Sequence, residues 1–198
     1  MKSHQRIYWA ALGLLRMLYH TRRRMDEIAL KEYYRSRQLI AHPSVRLEGF
    51  EQTDRFACNG PVWVSAYSVL VIADDGFNSS AKGSLRCGAS IYIGEQCNIR
   101  ASGGAISIGN EVMISNNVSM AATNHGMSKD LPMNQQPWAE SPCGIEIGDN
   151  VWIGSHAILL PGCRIGSGSV VAAGAVVLGE IPPMSVCGGV PARLLKPR

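Results

Sequence analysis

The sequence predicts an all-β solenoid preceded by a helical segment, and three observations carry that prediction. From Ile147 onward one aliphatic residue recurs at every sixth position, through Ile153, Leu159, Ile165 and Val171 to Val177. The intervening residues repeat too: Val151, Ala157, Cys163, Ser169 and Ala175 are small at the fifth position, and Gly148, Gly154, Gly166 and Ala172 follow the aliphatics. Upstream, Ile108, Ile114 and Met120 continue the spacing, with Val112 and Val118 between them. A period of six fits neither the 3.6-residue helix nor the two-residue alternation of a strand. It fits a coil of short strands, each sending one aliphatic residue inward, whose stacked turns bury a column that no single turn could bury alone.

Taken in order, residues 1–43 read as helical. Ile7, Ala11, Leu14, Leu15 and Leu18 fall at helical spacing, Met25, Ile28, Ala29 and Tyr33 extend the stripe, and Pro43 closes it. The stretch from Ile7 to Tyr19, broken by Arg16, is too short to span a hydrocarbon layer of about 30 Å. Two roles remain open. One is a helical cap or oligomer-packing element. The other is an interfacial helix, with Tyr8 and Trp9 at the headgroups and peripheral membrane contact through residues 1–24. That segment holds Lys2, Arg6, Arg16, Arg22, Arg23 and Arg24 and no acid.

Residues 44–181 form the predicted coil. Ile93 and Ile99 precede the regular hexads, with extra residues around Gly103 and Gly104 shifting the phase. Before residue 90 the register blurs, although Val62, Val64, Val69, Val71, Leu85 and Ile91 still read as short strands. Between Met120 and Ile147 the chain is far longer than one hexad, so residues 124–144 are expected to leave the coil as a protruding loop, the usual place for function in a repeat protein. Residues 182–198 are left as a C-terminal tail.

Composition narrows the function classes. The 198 residues carry a net charge of +4, but the excess belongs to residues 1–24, which argues against nucleic-acid binding by the main body. The six cysteines (58, 87, 97, 143, 163 and 187) show no CxxC pair and no zinc spacing, so no metal is expected. Cys97 and Cys163 occupy small inward positions and are expected to pack as hydrophobes. The arginine triplet follows the apolar stretch instead of preceding it, which is the wrong order for a secretory signal and points to the cytoplasm, with the inner membrane face as a second place of action.

The segments T-N-H at 123–125, G-I-E-I-G-D-N-V-W-I-G-S at 144–155, L-P-G-C-R-I-G at 160–166, V-V-A-A-G-A-V-V at 170–177, I-P-P at 181–183 and G-V-P-A-R at 189–193 resemble the hexapeptide-repeat acyltransferases. The nearest group is the galactoside, maltose and polysaccharide O-acetyltransferases. The resemblance implies a left-handed parallel β-helix, a homotrimer, and acetyl transfer from acetyl-CoA to a sugar hydroxyl, with the acceptor expected in a cell-surface polysaccharide or its lipid-linked precursor. His125 matches the family's general base, and imidazole suits removal of an alcohol proton near neutral pH. His156, one residue past Ser155 in a coil, reads as a surface residue.

On the donor side the resemblance places the Ser155 backbone N–H near the thioester carbonyl, Ala173 at the pantetheine, and Arg193 and Lys196 near the nucleotide phosphates. Gly179 stands where the family often has lysine. On the acceptor side Asn98 lies near a family asparagine, and an expected acidic ligand has no clean counterpart. Asn124, Gln136 and Trp138 either contact a sugar or hold the loop in shape. A xenobiotic acetyltransferase and a non-catalytic β-helix scaffold are the alternatives.

Overall fold

The computed structural model describes residues 2–52, 54–74, 82–139, 141 and 143–198, with side chains from residue 13 onward. The chain is a left-handed parallel β-helix of six three-stranded coils behind one long helix, α1 (Lys2–Arg35). The first coil comprises β1 (Leu39–Ala41), β2 (Arg46–Glu48) and β3 (Phe56–Cys58); the second, β4 (Val62–Val64), β5 (Val69–Ala73) and β6 (Ser84–Cys87). The third is β7 (Ile91–Ile93), β8 (Asn98–Ser102) and β9 (Ala105–Ile108); the fourth, β10 (Met113–Ile114), β11 (Ser119–Ala121) and β12 (Ile145–Ile147). The fifth is β13 (Trp152–Ile153), β14 (Ile158–Leu159) and β15 (Cys163–Ile165); the sixth, β16 (Val170–Val171), β17 (Val176–Val177) and β18 (Glu180–Ile181). The final pair is β19 (Ser185–Gly188) and β20 (Arg193–Pro197).

Every third strand stacks in parallel, making three faces. The first runs β1-β4-β7-β10-β13-β16-β19, the second β2-β5-β8-β11-β14-β17 and the third β3-β6-β9-β12-β15-β18. The hexad sets this register directly: Ile108, Ile147 and Ile165 are cross-strand partners on the third face, and Ile114, Ile153 and Val171 on the first. All are buried, as are the small residues Ala157, Cys163, Ser169 and Ala175. Full burial of each such aliphatic contributes roughly 1.5–3 kcal/mol against exposure. Cys97 and Cys163 pack inside as expected, and burial raises both thiols, that of Cys163 to about 12.

The corner between the first and second faces is turned through left-handed residues: Tyr67, Gln96, Asn117, His156 and Gly174, with φ of 60°, 56°, 60°, 60° and 69°. His156 is one of these turn residues, exposed to solvent. Successive corners touch closely, and a Cβ on Gly154 would sit 2.6 Å from the Ala173 nitrogen.

Both ends differ from the sequence expectation. The helix stops at Arg35, and β1 already pairs with β4 before Pro43 is reached. The opening coil lacks the hexad because an aromatic plug, not an aliphatic rung, closes it. Tyr34, Phe50 and Phe56 are buried with ring centroids 5.2–5.4 Å apart, and the Tyr34 hydroxyl donates to the Phe50 carbonyl. At the other end the segment after residue 181 is no loose tail: β19 extends the first face beside β16, and β20 folds back antiparallel on it.

Within α1 only the last turns meet the coil, through Leu30, Tyr33 and the buried Tyr34. Leu14, Leu18, Met25 and Ile28 are 54–65% exposed, so the apolar stripe does not cap this chain's own β-helix. The side chains of Lys2, Arg6, Tyr8 and Trp9 lie outside the described residues. No helix, among the described residues, is long and apolar enough to cross a membrane.

Candidate functional site

The loop between β11 and β12 leaves the corner joining the second and third faces. Its base is a short two-stranded stem in which His125 bridges Trp138, the Gly126 N–H donates to the Pro137 carbonyl (2.8 Å) and the Ala139 N–H to the Asn124 carbonyl (2.8 Å). The Thr123 hydroxyl ties the stem to the coil by donating to the Ser102 carbonyl at 2.7 Å. His125 is thereby fixed at the point where chain leaves coil, its ring edge-on to Trp138 at 6.4 Å and 84°. The indole lies on Gly103: a Cβ there would come within 2.5 Å of its Cε3, and the backbone is left-handed (φ +62°), so glycine is required twice over. The phase break read at Gly103 and Gly104 is thus the floor on which Trp138 rests.

His125, Asn124 and Trp138 line a cleft of about 370 Å³ on the second face, together with Ala73, Asp74 and Arg100. Sequence reasoning missed the last two polar residues. Asp74 accepts from the Arg55 guanidinium at 2.5 Å and from the Gly83 N–H at 3.1 Å; the Arg55 hydrogen bond foremost holds its carboxyl below the usual range. Arg100 stands on the outward side of β8 between Val71 and Ala121. Among the described residues it forms no ion pair, and the charges acting on Asp74 are those of Arg55 and Lys82. The cleft therefore presents one uncompensated guanidinium beside a fixed carboxylate and an imidazole.

Two predicted acceptor residues are placed elsewhere. Asn98 is exposed on the same strand as Arg100, outside the lining of the cleft. Gln136 is 2% exposed and its amide serves the loop: Oε1 accepts from Ser128 N–H at 2.7 Å, and Nε2 donates to the carbonyls of Leu131 (2.7 Å) and Ser128 (2.9 Å). Of the two roles open to it, the geometry supports loop shaping.

The donor-side residues gather at another corner. Ser155 and Ala173 occupy successive turns between the first and second faces, with the Gly174 N–H donating to the Ser155 carbonyl at 2.9 Å. The segment after β19 crosses above them, its Ala192 N–H bonded to the Val176 carbonyl at 2.8 Å, and delivers Arg193 there. Lys196 follows on β20 opposite Val186, exposed like Arg193. Within one chain, His125 and the Ser155–Ala173 corner thus border opposite edges of the second face. A separate groove between α1 and β2, lined by Arg23, Asp26, Glu27, Lys31 and Glu48, holds no base or thiol. No cluster suited to a metal ion occurs among the described residues.

Residues 144–179 match the family model for the bacterial transferase hexapeptide (six repeats). The chain is 41% identical over 91 residues to a galactoside O-acetyltransferase of Escherichia coli, covering 46% of this chain and 43% of that protein. It is 36% identical over 100 residues to the putative lipopolysaccharide biosynthesis O-acetyl transferase WbbJ of the same organism, covering 46% and 50%. The chain thus spans about half the length of the curated relatives it matches. Among solved structures, AntD, an N-acyltransferase from Bacillus cereus in complex with dTDP and Coenzyme A, superposes with a TM-score of 0.64 at 18% identity over 81% of both chains. That likeness establishes the shared fold.

Proposed function

We propose that the chain is an acetyl-CoA-dependent O-acetyltransferase acting on a sugar hydroxyl, with His125 as general base and no acyl-enzyme. The observation that carries the reading is the placement of His125 on a rigid stem at the mouth of a polar cleft, in a chain whose repeats match those of named O-acetyltransferases. The imidazole takes the acceptor hydroxyl proton as that oxygen attacks the thioester carbonyl. The resulting oxyanion is stabilised by the Ser155 backbone N–H. Collapse breaks the C–S bond, the thiolate recovers the proton from the imidazolium, and acetyl ester and free CoA leave. No cysteine lines the cleft, which favours direct transfer over a covalent intermediate. Trp138 offers a stacking surface to a sugar ring and Asp74 an acceptor for its hydroxyls. The name of WbbJ supports a cell-surface polysaccharide, or its lipid-linked precursor, as the acceptor class.

Because His125 and the Ser155–Ala173 corner lie at different edges of one chain, a neighbouring copy is proposed to complete the site, in a homotrimer. Support comes from the first face, whose outward side carries Trp63, Tyr92, Met113 and Trp152 in register, each 42–55% exposed. Such a ladder exceeds the scattered apolar residues of an ordinary surface. The reading is tested by thiol release from acetyl-CoA with panels of sugars, amino sugars and hydroxylated antibiotics. Turnover with sugar hydroxyls supports it; turnover only with amines or antibiotics moves the acceptor class, and no turnover with any acceptor favours a scaffold.

A further inference from the structure

We propose that the exposed stripe of α1 is a docking surface for an anionic lipid bilayer. In an α-helix successive side chains turn by about 100°, so Leu14, Leu18, Met25 and Ile28 share one side. The residues that anchor the helix to the coil, Leu30, Tyr33 and Tyr34, point about 150° away on the same wheel. The stripe cannot fold onto this chain's β-helix without withdrawing Tyr34 from the aromatic plug. It therefore faces away from the coil, with Leu14, Leu18, Met25 and Ile28 at 54%, 56%, 65% and 55% exposure.

Charge and width select the occupant. Arg22 and Arg24 flank the stripe on its two sides, Arg16 and Arg23 lie behind it, and no acid occurs before Asp26. A second copy of the helix laid on this stripe would bring the Arg22–Arg24 triplets of both copies to one level. The only acid paired near them is Glu27, already engaged by Arg23 of its own helix at 3.7 Å. Like charges there oppose self-association, whereas an anionic surface neutralises them, at roughly 1 kcal/mol per basic residue. Leu15 and Tyr19, 62% exposed each, also broaden the apolar side beyond the narrow seam of a coiled coil. A broad apolar face rimmed with arginine is the pattern of a helix lying in the membrane interface. The inference does not depend on the catalytic reading.

The test is flotation of the full chain with vesicles of phosphatidylcholine, with and without phosphatidylglycerol. The chain is expected to float only with the anionic vesicles, and less as salt is raised. Arg22→Gln/Arg23→Gln/Arg24→Gln should weaken partitioning on the order of a hundredfold, and Leu14→Ser/Leu18→Ser by at least about tenfold. All five positions are exposed, so the fold is retained. Absence of flotation, or flotation unchanged in both variants, overturns the proposal. So does a smaller assembly of the leucine variant by light scattering with no lipid binding, which would assign the stripe to a second copy.

Discussion

Replacing Gln136 tests whether the loop is held by its own side chains. The amide makes three hydrogen bonds to loop backbone: one accepted from Ser128 N–H and two donated to the Ser128 and Leu131 carbonyls. At about 1 kcal/mol net for each, Gln136→Ala should destabilise the closed loop by about 3 kcal/mol. Opening is local, so protection of loop amides from hydrogen exchange should fall on the order of a hundredfold while the coil stays protected. Gln136→Glu is the sharper variant. It keeps an acceptor for Ser128 N–H but turns a second oxygen toward two carbonyls, and buries a charge at a site 2% exposed. Loop shaping therefore predicts Glu to be worse than Ala in both exchange protection and acetyl transfer. Were Gln136 a ligand for an acceptor hydroxyl, Glu would keep much of that role and exceed Ala in activity. Activity and loop protection closer to the parent in Gln136→Glu than in Gln136→Ala would refute the reasoning.

His125→Ala should lower kcat by at least about a hundredfold with little change in KM for acetyl-CoA, measured by thiol release; near-normal turnover would mean another base. Arg100→Gln should raise KM for the acceptor more than it lowers kcat, because its unpaired guanidinium lines the cleft without touching His125's stem; unchanged acceptor KM excludes it from binding. Tyr92→Ser/Trp152→Ser should shift the mass seen by light scattering toward about 21.4 kDa and lower activity together, since the ladder is proposed to join subunits. For pH, the folded pKa of Asp74 is lowered, chiefly by the Arg55 hydrogen bond, so its contribution to stability is present above the unfolded value of about 4 and is lost as pH falls through and below it. The stability gap between the parent and Arg55→Met, followed by denaturant midpoints, should accordingly close in acid; a gap that widens there would reverse the assignment.

The regular coils were legible because their period is a direct image of the packing: one inward aliphatic per strand, repeated with the strand spacing. Ile108, Ile147 and Ile165 are partners across three coils, as six-residue arithmetic requires. The first coil was hidden because Tyr34, Phe50 and Phe56 plug it with rings from three separate segments, a long-range arrangement without local periodicity. His125 was found through the T-N-H match at the loop entrance. Asp74 and Arg100 were not, for distinct reasons. Asp74 lies where the register blurs, and an arginine on the outward side of a strand looks like any solvated charge until the neighbouring loop is placed beside it. Gln136 shows the opposite limit, since a buried amide and a sugar-binding amide are the same residue in sequence.

The irregular positions also explain why the cleft lies where it does. A stack of identical turns presents identical surfaces, and no such surface can distinguish one acceptor hydroxyl from another. Asymmetry must enter where the repeat fails, and the hexad fails twice near the cleft: at Gly103–Gly104 and at the loop after Ala121. The structure joins the two failures, because Trp138 from the loop rests on the space left by Gly103 while the Thr123 hydroxyl ties the stem to Ser102, one residue before that glycine. Neither irregularity alone would hold the His125 ring at a fixed angle to an aromatic surface. The left-handed backbone at Gly103 and the stem of His125 and Trp138 are thus two halves of one device, and the undisturbed coils on either side supply its rigidity.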